Sequence, residues 1–219
     1  MIAIITAMEV EMERITARME NVREEVHPGL RCLRGTLCGK ETVAAVCSVG
    51  KTCAAQQTQA LLSAYRPEAV FHTGIAGAVG KDLRHLDLVC AREVTDRDLS
   101  EHTKREFLPF GGYFVADPRL TSLLRAAAPD SHLGCMVTGD RFVETTAEKL
   151  RLQQDFNALC ADMESAAVAQ VCAVNRTPFA ILRCISDLAD DSARSDYEGF
   201  ERKAAERSAE TLCKAIEQL

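Results

Sequence analysis

The stretch Asn157-Ala-Leu-Cys-Ala-Asp-Met-Glu-Ser-Ala-Ala-Val168 opens as a short apolar run and closes as a run of small residues suited to a helix. Two acids flanking a methionine, Asp162, Met163 and Glu164, join the halves. The pattern predicts a strand over Ala158–Asp162 followed by a helix over Ser165–Val174. A strand-to-helix junction sets side chains at the carboxyl edge of a sheet, where open α/β folds bind ligands. An acid at that edge is either a charge suited to a helix N-terminus or a ligand-binding carboxylate. The stretch alone leaves both readings open.

Outward from it, strand and helix patterns alternate. Strand-like runs cover Ile2–Thr6, Arg31–Leu37, Thr42–Ser48, Ala69–Thr73, Leu86–Val94, Gly134–Thr138 and Phe179–Ile185. Helical patterns cover Val10–Asn21, Cys53–Tyr65, Pro118–Ala128 and Thr146–Asp155. The last 24 residues form a charged amphipathic helix with Ala205, Ala209, Leu212 and Ile216 on one stripe. Gly39-Lys40 joins two strands as a hairpin. The alternation predicts a three-layer α/β fold, a central mixed β-sheet flanked by helices, in a single domain over residues 1–219. Residues 95–116 read as an irregular connection, charged first and then Phe107-Leu-Pro-Phe-Gly-Gly-Tyr-Phe114. A connection of that length is a lip over a site, a subunit contact or a solvated surface loop.

The bulk numbers narrow the function. A chain of 219 residues, 47% hydrophobic and 26% charged, is ordinary for a globular protein with a sizeable core. The net charge of -6 argues against nucleic acid or an anionic membrane as partner. No apolar run reaches the roughly 18 residues of a membrane span. The start, Met1-Ile-Ala-Ile-Ile-Thr-Ala-Met8, lacks a basic segment and reads as a buried strand, not a signal peptide. Ten cysteines with no Cys-x-x-Cys pair behave as small core residues of a reducing, cytoplasmic compartment, with no metal site.

Four positions at predicted strand ends carry candidate chemistry. Ala7-Met-Glu-Val-Glu11 closes the first strand and opens a helix, so Glu11 lies near a first turn. Ser48-Val-Gly-Lys51 and Thr73-Gly-Ile-Ala-Gly77 are small-residue turns where backbone can approach a ligand. The second lacks the spacing of a dinucleotide fingerprint. Asp162-Met-Glu164 is the third position and Arg183-Cys-Ile-Ser-Asp187 the fourth. Asp187 is placed either to hold a proton toward a heterocycle or to cap a turn beside Asp190 and Asp191.

With Thr138-Gly-Asp140 and Phe142, these segments resemble, in order and rough spacing, the methylthioadenosine/S-adenosylhomocysteine nucleosidases of the nucleoside phosphorylase superfamily. The resemblance runs from Ile2 to the final helix, and its most specific parts are Asp162-Met-Glu164 and Arg183-Cys-Ile-Ser-Asp187. It implies a nucleoside phosphorylase-like fold, a cytoplasmic homodimer, no cofactor, and hydrolysis of the bond between adenine and a 5′-thio-substituted ribose. Glu11 then matches the acid that activates water, and Glu164 the acid that holds the ribose hydroxyls. Met163 packs on the ribose, and Asp187, oriented by Ser186, protonates the purine N7. Arg183 lies near the water, Phe142 and Val143 flank the base, and Ile75, Ala76 and Gly77 form a wall of the site. Met8, Val49 and Phe200 fall where the family packs the 5′-alkylthio group. The chain departs from the family in carrying Ser100-Glu-His-Thr-Lys-Arg-Glu106 in the loop, its aromatics arriving later at Phe107 and Phe110.

Hydrolysis and phosphorolysis differ in what the nucleophile site must hold. Phosphate needs several cationic groups or converging N–H donors. The first-strand turn offers Glu9 and Glu11, and the nearby cations are Lys51 and Arg183 alone. A carboxylate repels phosphate and suits water, which favours a hydrolase. The alternatives are a purine nucleoside phosphorylase, a nucleosidase with another 5′-substituent (futalosine type), and a non-catalytic nucleoside-binding protein.

Overall fold

The computed structural model describes residues 1–219. Along the chain come β1 (Ile2–Thr6), α1 (Glu9–Thr16), β2 (Glu20–His27), β3 (Leu30–Leu37), β4 (Lys40–Val46) and α2 (Lys51–Tyr65). Next are β5 (Ala69–Ala78), β6 (Leu88–Asp96), α3 (Glu101–Phe107), a 3-10 turn (Pro109–Gly112), β7 (Tyr113–Val115) and α4 (Pro118–Ala127). The chain closes with β8 (His132–Thr138), α5 (Thr146–Phe156), β9 (Ala158–Asp162), α6 (Ser165–Val174), β10 (Phe179–Asp187) and α7 (Ala193–Ile216).

Strand β1 shows why the layers form. All its residues are buried, because both faces of the sheet are covered. Ile2 and Ile4 pack with Met12 and Ile15 of α1, Leu120 and Leu124 of α4, and Leu212 of α7. Ala3 and Ile5 point the other way, toward Leu61 of α2 and Val168 and Cys172 of α6. The two-residue period of a strand splits one apolar run between two cores.

All ten strands belong to one mixed sheet. Strand β1 pairs in parallel with β4 and β5, and the antiparallel β3 and β2 extend that side. On the other side β5 pairs with both β9 and β10. The run β5, β10, β6, β8, β9 and back to β5 therefore closes on itself as a ring. The Gly39 hairpin forms as expected, with Leu37 opposite Lys40.

Three expectations need correction. Helix α1 stops at Thr16, and the chain then forms β2, which the sequence reading missed. The first five residues of β2 are exposed, so this edge strand carries no apolar alternation to betray it. Second, Thr73–Gly77 is not a turn: β5 continues to Ala78 with every residue buried. It stays extended because Gly74, Ile75 and Ala76 pair in register with Arg183, Cys184 and Ile185 of β10. Third, the 95–116 connection is structured. Ser100 caps α3 by accepting from Thr103 N at 3.1 Å. Lys104, wholly buried, pairs with Glu101 and lies 4.7 Å from the Tyr113 ring centroid and 4.6 Å from that of Phe156. In the 3-10 turn, Phe110 itself adopts a left-handed φ of 56°.

Candidate active site

The strand ends collect around a cavity of about 370 Å³. Ala7, Met8 and Glu11 follow β1, and Val49 follows β4. Ile75, Ala76 and Gly77 come from the far half of β5, and Phe142 and Val143 follow β8. Met163 and Glu164 follow β9, Ser186 and Asp187 end β10, and the first turns of α7 complete the wall.

Glu11 is 3% exposed, and three backbone N–H groups hold its carboxylate. Oε2 accepts from Ala7 N at 2.9 Å and Met8 N at 3.0 Å, and Oε1 accepts from Ile75 N at 2.9 Å. Burial nonetheless raises its pKa, opposed by the Arg183 charge and those N–H bonds. Gly74 makes the approach possible, because a Cβ there would collide with Glu11 Oε1 and lie 3.1 Å from Arg183 Nη1.

Glu164 sits at the N-cap of α6 but does not cap it. Its Oε1 accepts from Gly50 N at 2.8 Å. Burial, helped by the neighbouring Asp162 charge and opposed by Arg183, pushes its pKa up to about 7. Glu164 is thus at a helix N-terminus, as one reading of this acid had it, but its carboxylate is turned to the Gly50 N–H and the cavity and not to the helix N–H groups.

Asp187 is 1% exposed. Ser186 Oγ donates to its Oδ2 at 2.9 Å, and Ala189 N donates to Oδ1 at 3.0 Å. Burial raises its pKa against both bonds. A Cβ on Gly77 would stand 2.7 Å from Oδ1, so glycine is required beneath this acid too.

Arg183 lies under the cavity instead of in its wall. Its Nε donates to Asp162 Oδ2 at 2.9 Å and its Nη2 meets His72 Nε2. His72 Nδ1 lies 2.9 Å from the Ile5 carbonyl, which fixes the proton on Nδ1 and leaves Nε2 to accept. Burial and the Arg183 charge keep His72 neutral. Asp162 is saturated: besides Arg183 it accepts from Thr138 Oγ1 at 2.6 Å, Ser165 N at 3.2 Å and the Ser165 hydroxyl. Burial works against its charge, but Arg183 and these hydroxyls hold its pKa below the usual value. One buried cation thus faces three carboxylates, Asp162, Glu11 and Glu164, of which only Asp162 bonds to it directly.

Phe200 is not part of the wall. It stacks on His85 with ring centroids 4.3 Å apart. Tyr197, which the sequence reading passed over, lines the cavity instead. Its ring meets Phe142 edge-on at 5.9 Å, and its hydroxyl lies 3.4 Å from Met8 Sδ. The helix begins at Ala193, earlier than the sequence indicated, and Arg194, Tyr197 and Glu198 fall on one face at the spacing of a turn. That spacing was the available signal. Arg141 and Ala161 also line the cavity without having been anticipated. No group of three or more His, Cys, Asp or Glu is placed to hold a metal ion.

Lys51, weighed above as a phosphate ligand, is spent elsewhere. Its Nζ pairs with Asp96 Oδ2 at 2.9 Å and Asp98 Oδ2 at 2.7 Å, and it lines a second cavity. The main cavity therefore presents to a nucleophile the carboxylate of Glu11 and no lysine; the cations in its lining are Arg141 and Arg194, and Arg194 pairs with Glu144 at 2.7 Å.

Comparison with known proteins places this arrangement. The family model described as the phosphorylase superfamily matches residues 1–217. The 5′-methylthioadenosine/S-adenosylhomocysteine nucleosidase of Chromohalobacter salexigens is 35% identical over 227 aligned residues, covering 95% of this chain and 93% of that protein. The solved structure of the enzyme of that name from Neisseria meningitidis, in complex with methylthio-immucillin-A, superposes with a TM-score of 0.93 at 31% identity, covering 100% of this chain and 99% of that one. Futalosine hydrolase of Helicobacter pylori also superposes with a TM-score of 0.93, at 28% identity over 100% of this chain and 97% of that one.

Proposed function

The chain belongs to the phosphorylase superfamily, and we propose that within it this protein hydrolyses the N-glycosidic bond of 5′-thio-substituted adenosines, methylthioadenosine and S-adenosylhomocysteine, releasing adenine. The observation that carries this is the set of three buried carboxylates, Glu11, Glu164 and Asp187, each with a raised pKa, around one cavity.

Breaking the bond builds positive charge on the sugar and negative charge on the departing base. Asp187, whose pKa burial raises, is the general acid that donates to the purine N7 and neutralises the leaving group. Ser186 holds its other oxygen in place. Glu11 takes a proton from the attacking water and is itself oriented by three N–H donors. The acid and the base act on opposite sides of the scissile bond, as in inverting glycoside hydrolysis. Glu164 accepts from the ribose hydroxyls, Met163 packs on the ribose, and Phe142 and Val143 flank the base. Met8, Val49 and Tyr197 surround the 5′-alkylthio group, Tyr197 taking the place expected of Phe200. Water is favoured over phosphate because the Glu11 carboxylate repels an anion, Lys51 and Arg183 are committed to aspartates, and Arg194 in the cavity wall pairs with Glu144.

A cytoplasmic homodimer serving methionine salvage completes the proposal. Ten free cysteines, eight of them buried, suit a reducing compartment. Phe107 and Phe110, exposed on α3 and the turn after it, suit burial against a second copy. The deciding measurement is adenine release from methylthioadenosine with and without phosphate. Equal turnover in both is expected, and phosphate-dependent formation of ribose 1-phosphate would overturn the hydrolase.

A further inference from the structure

A continuous charged network runs behind the cavity and uses residues with no part in the chemistry above. It starts at the end of β6. Asp98 N donates to Asp96 Oδ1 at 2.7 Å, which folds the chain so that both carboxylates meet Lys51 Nζ. Asp98 Oδ2 also accepts from Asp140 N at 2.9 Å, and Asp140 Oδ1 accepts from Lys51 N at 2.9 Å. The residue before Lys51 is Gly50, whose N–H donates to Glu164 at 2.8 Å, and whose φ of 102° only glycine adopts readily. Two residues past Asp140 comes Phe142. Arg97, between the two aspartates, has a side chain only 1% exposed. It pairs with Glu148 at 2.7 Å and donates to the Arg141 carbonyl.

Asp98 is thus bonded to the Lys51 side chain, next to Gly50, and to the Asp140 backbone, and through them reaches both loops beside the cavity. One is the Gly50 loop, whose N–H fixes Glu164; the other is the Asp140–Val143 loop, which carries the base platform. We propose that Asp98 and Arg97 are positioning residues: Asp98 sets the spacing between the ribose carboxylate and the base platform, and Arg97 holds the platform alone. This rests on the reading of Glu164 as the ribose ligand. Nothing in the network reaches the cavity surface near the scissile bond, so its effect falls on ground-state fit first.

The two residues separate experimentally. Without Asp98 the Gly50 loop loosens, and Glu164 loses the N–H that favours its charged form. The other groups facing Glu164 are Asp162, Arg183, Glu11 and Cys47, and none contacts Asp98. Asp98→Ala should therefore raise KM for methylthioadenosine about tenfold, with a smaller fall in kcat, and move the acid limb of kcat/KM to higher pH. Asp98→Glu should recover part of both. Arg97→Gln should raise KM and leave the acid limb in place. Should Asp98→Ala fail to fold, Asp98→Asn keeps the shape and serves instead. Unchanged KM and acid limb in the Asp98 variants, or activity lost only in proportion to folded protein, would overturn the proposal. Wild-type protein that releases no adenine would instead sink the nucleosidase reading on which it stands, and the proposal with it.

Discussion

Two cavities of similar size, about 370 and about 400 Å³, lie on either side of the Gly50–Lys51 step, and both hold acids. In the second, the acids Asp96 and Asp140 are answered: Lys51 Nζ lies 2.9 Å from Asp96 and 3.8 Å from Asp140. In the first, Glu11, Glu164 and Asp187 are held mainly by N–H and O–H dipoles, and all three have raised pKa values. Size and acid content do not separate the two. Carboxylates buried without a directly bonded cation do, because the fold bears that cost only where the groups are needed.

Substitutions can break or sharpen that contrast. The largest effect is expected at Asp187→Asn, which removes the acid while keeping its shape. kcat should fall by about 10²–10⁴-fold, and near-normal turnover of methylthioadenosine would refute the role. Glu11→Gln should cost on the order of 10²-fold in kcat, with KM less affected; a change confined to KM would make Glu11 a binding group. Glu164→Gln should act mainly on KM, raising it about tenfold for a ligand hydrogen bond to a charged group.

Glu164→Gln also tests the cost of the charge itself. Burial lifts the folded-state pKa of Glu164 to about 7, above the roughly 4.3 of an unfolded chain. The folded chain then binds more protons across that window, so this group's contribution to stability is present below pH 4.3 and fades as pH rises through 7. The variant should unfold at higher denaturant than wild type at pH 8, by on the order of 1–3 kcal/mol, with the two converging near pH 4. A wild type as stable as the variant at pH 8 would mean that Glu164 is not penalised. The smallest effect is expected in the second cavity. Gln170→Ala there should change kcat/KM by less than about threefold, and a larger loss would join that cavity to the site.

Much of this site was legible before the fold, because its residues sit at junctions that periodicity marks. Ile2–Thr6 and Ala158–Asp162 end as the structure has them, and Glu11 and Glu164 follow from those ends. What escaped notice escaped for physical reasons. Strand β2 is held by pairing with β3 and its first residues face solvent, so its sequence had no reason to alternate. Thr73–Gly77 looked like a turn because its glycines are there to admit Glu11 and Asp187, a tertiary demand invisible in one strand's composition. Phe200 and Tyr197 were confused because the starting phase of α7 depends on where its first turn docks. The Asp98 network was unreadable, since it links residues that only the folded chain brings together.

The closed ring of β5, β10, β6, β8 and β9 has a bearing on ancestry as well as on shape. A hoop has no free rim to fray, so the segments hanging from its strand ends can lengthen, shorten or change residue type without reopening it. Glu164 and Asp187 follow from the hoop itself, while Phe142, Tyr197 and the α3 segment hang from it. Descendants of such a scaffold should keep Glu164 and Asp187 and trade the appendages around them.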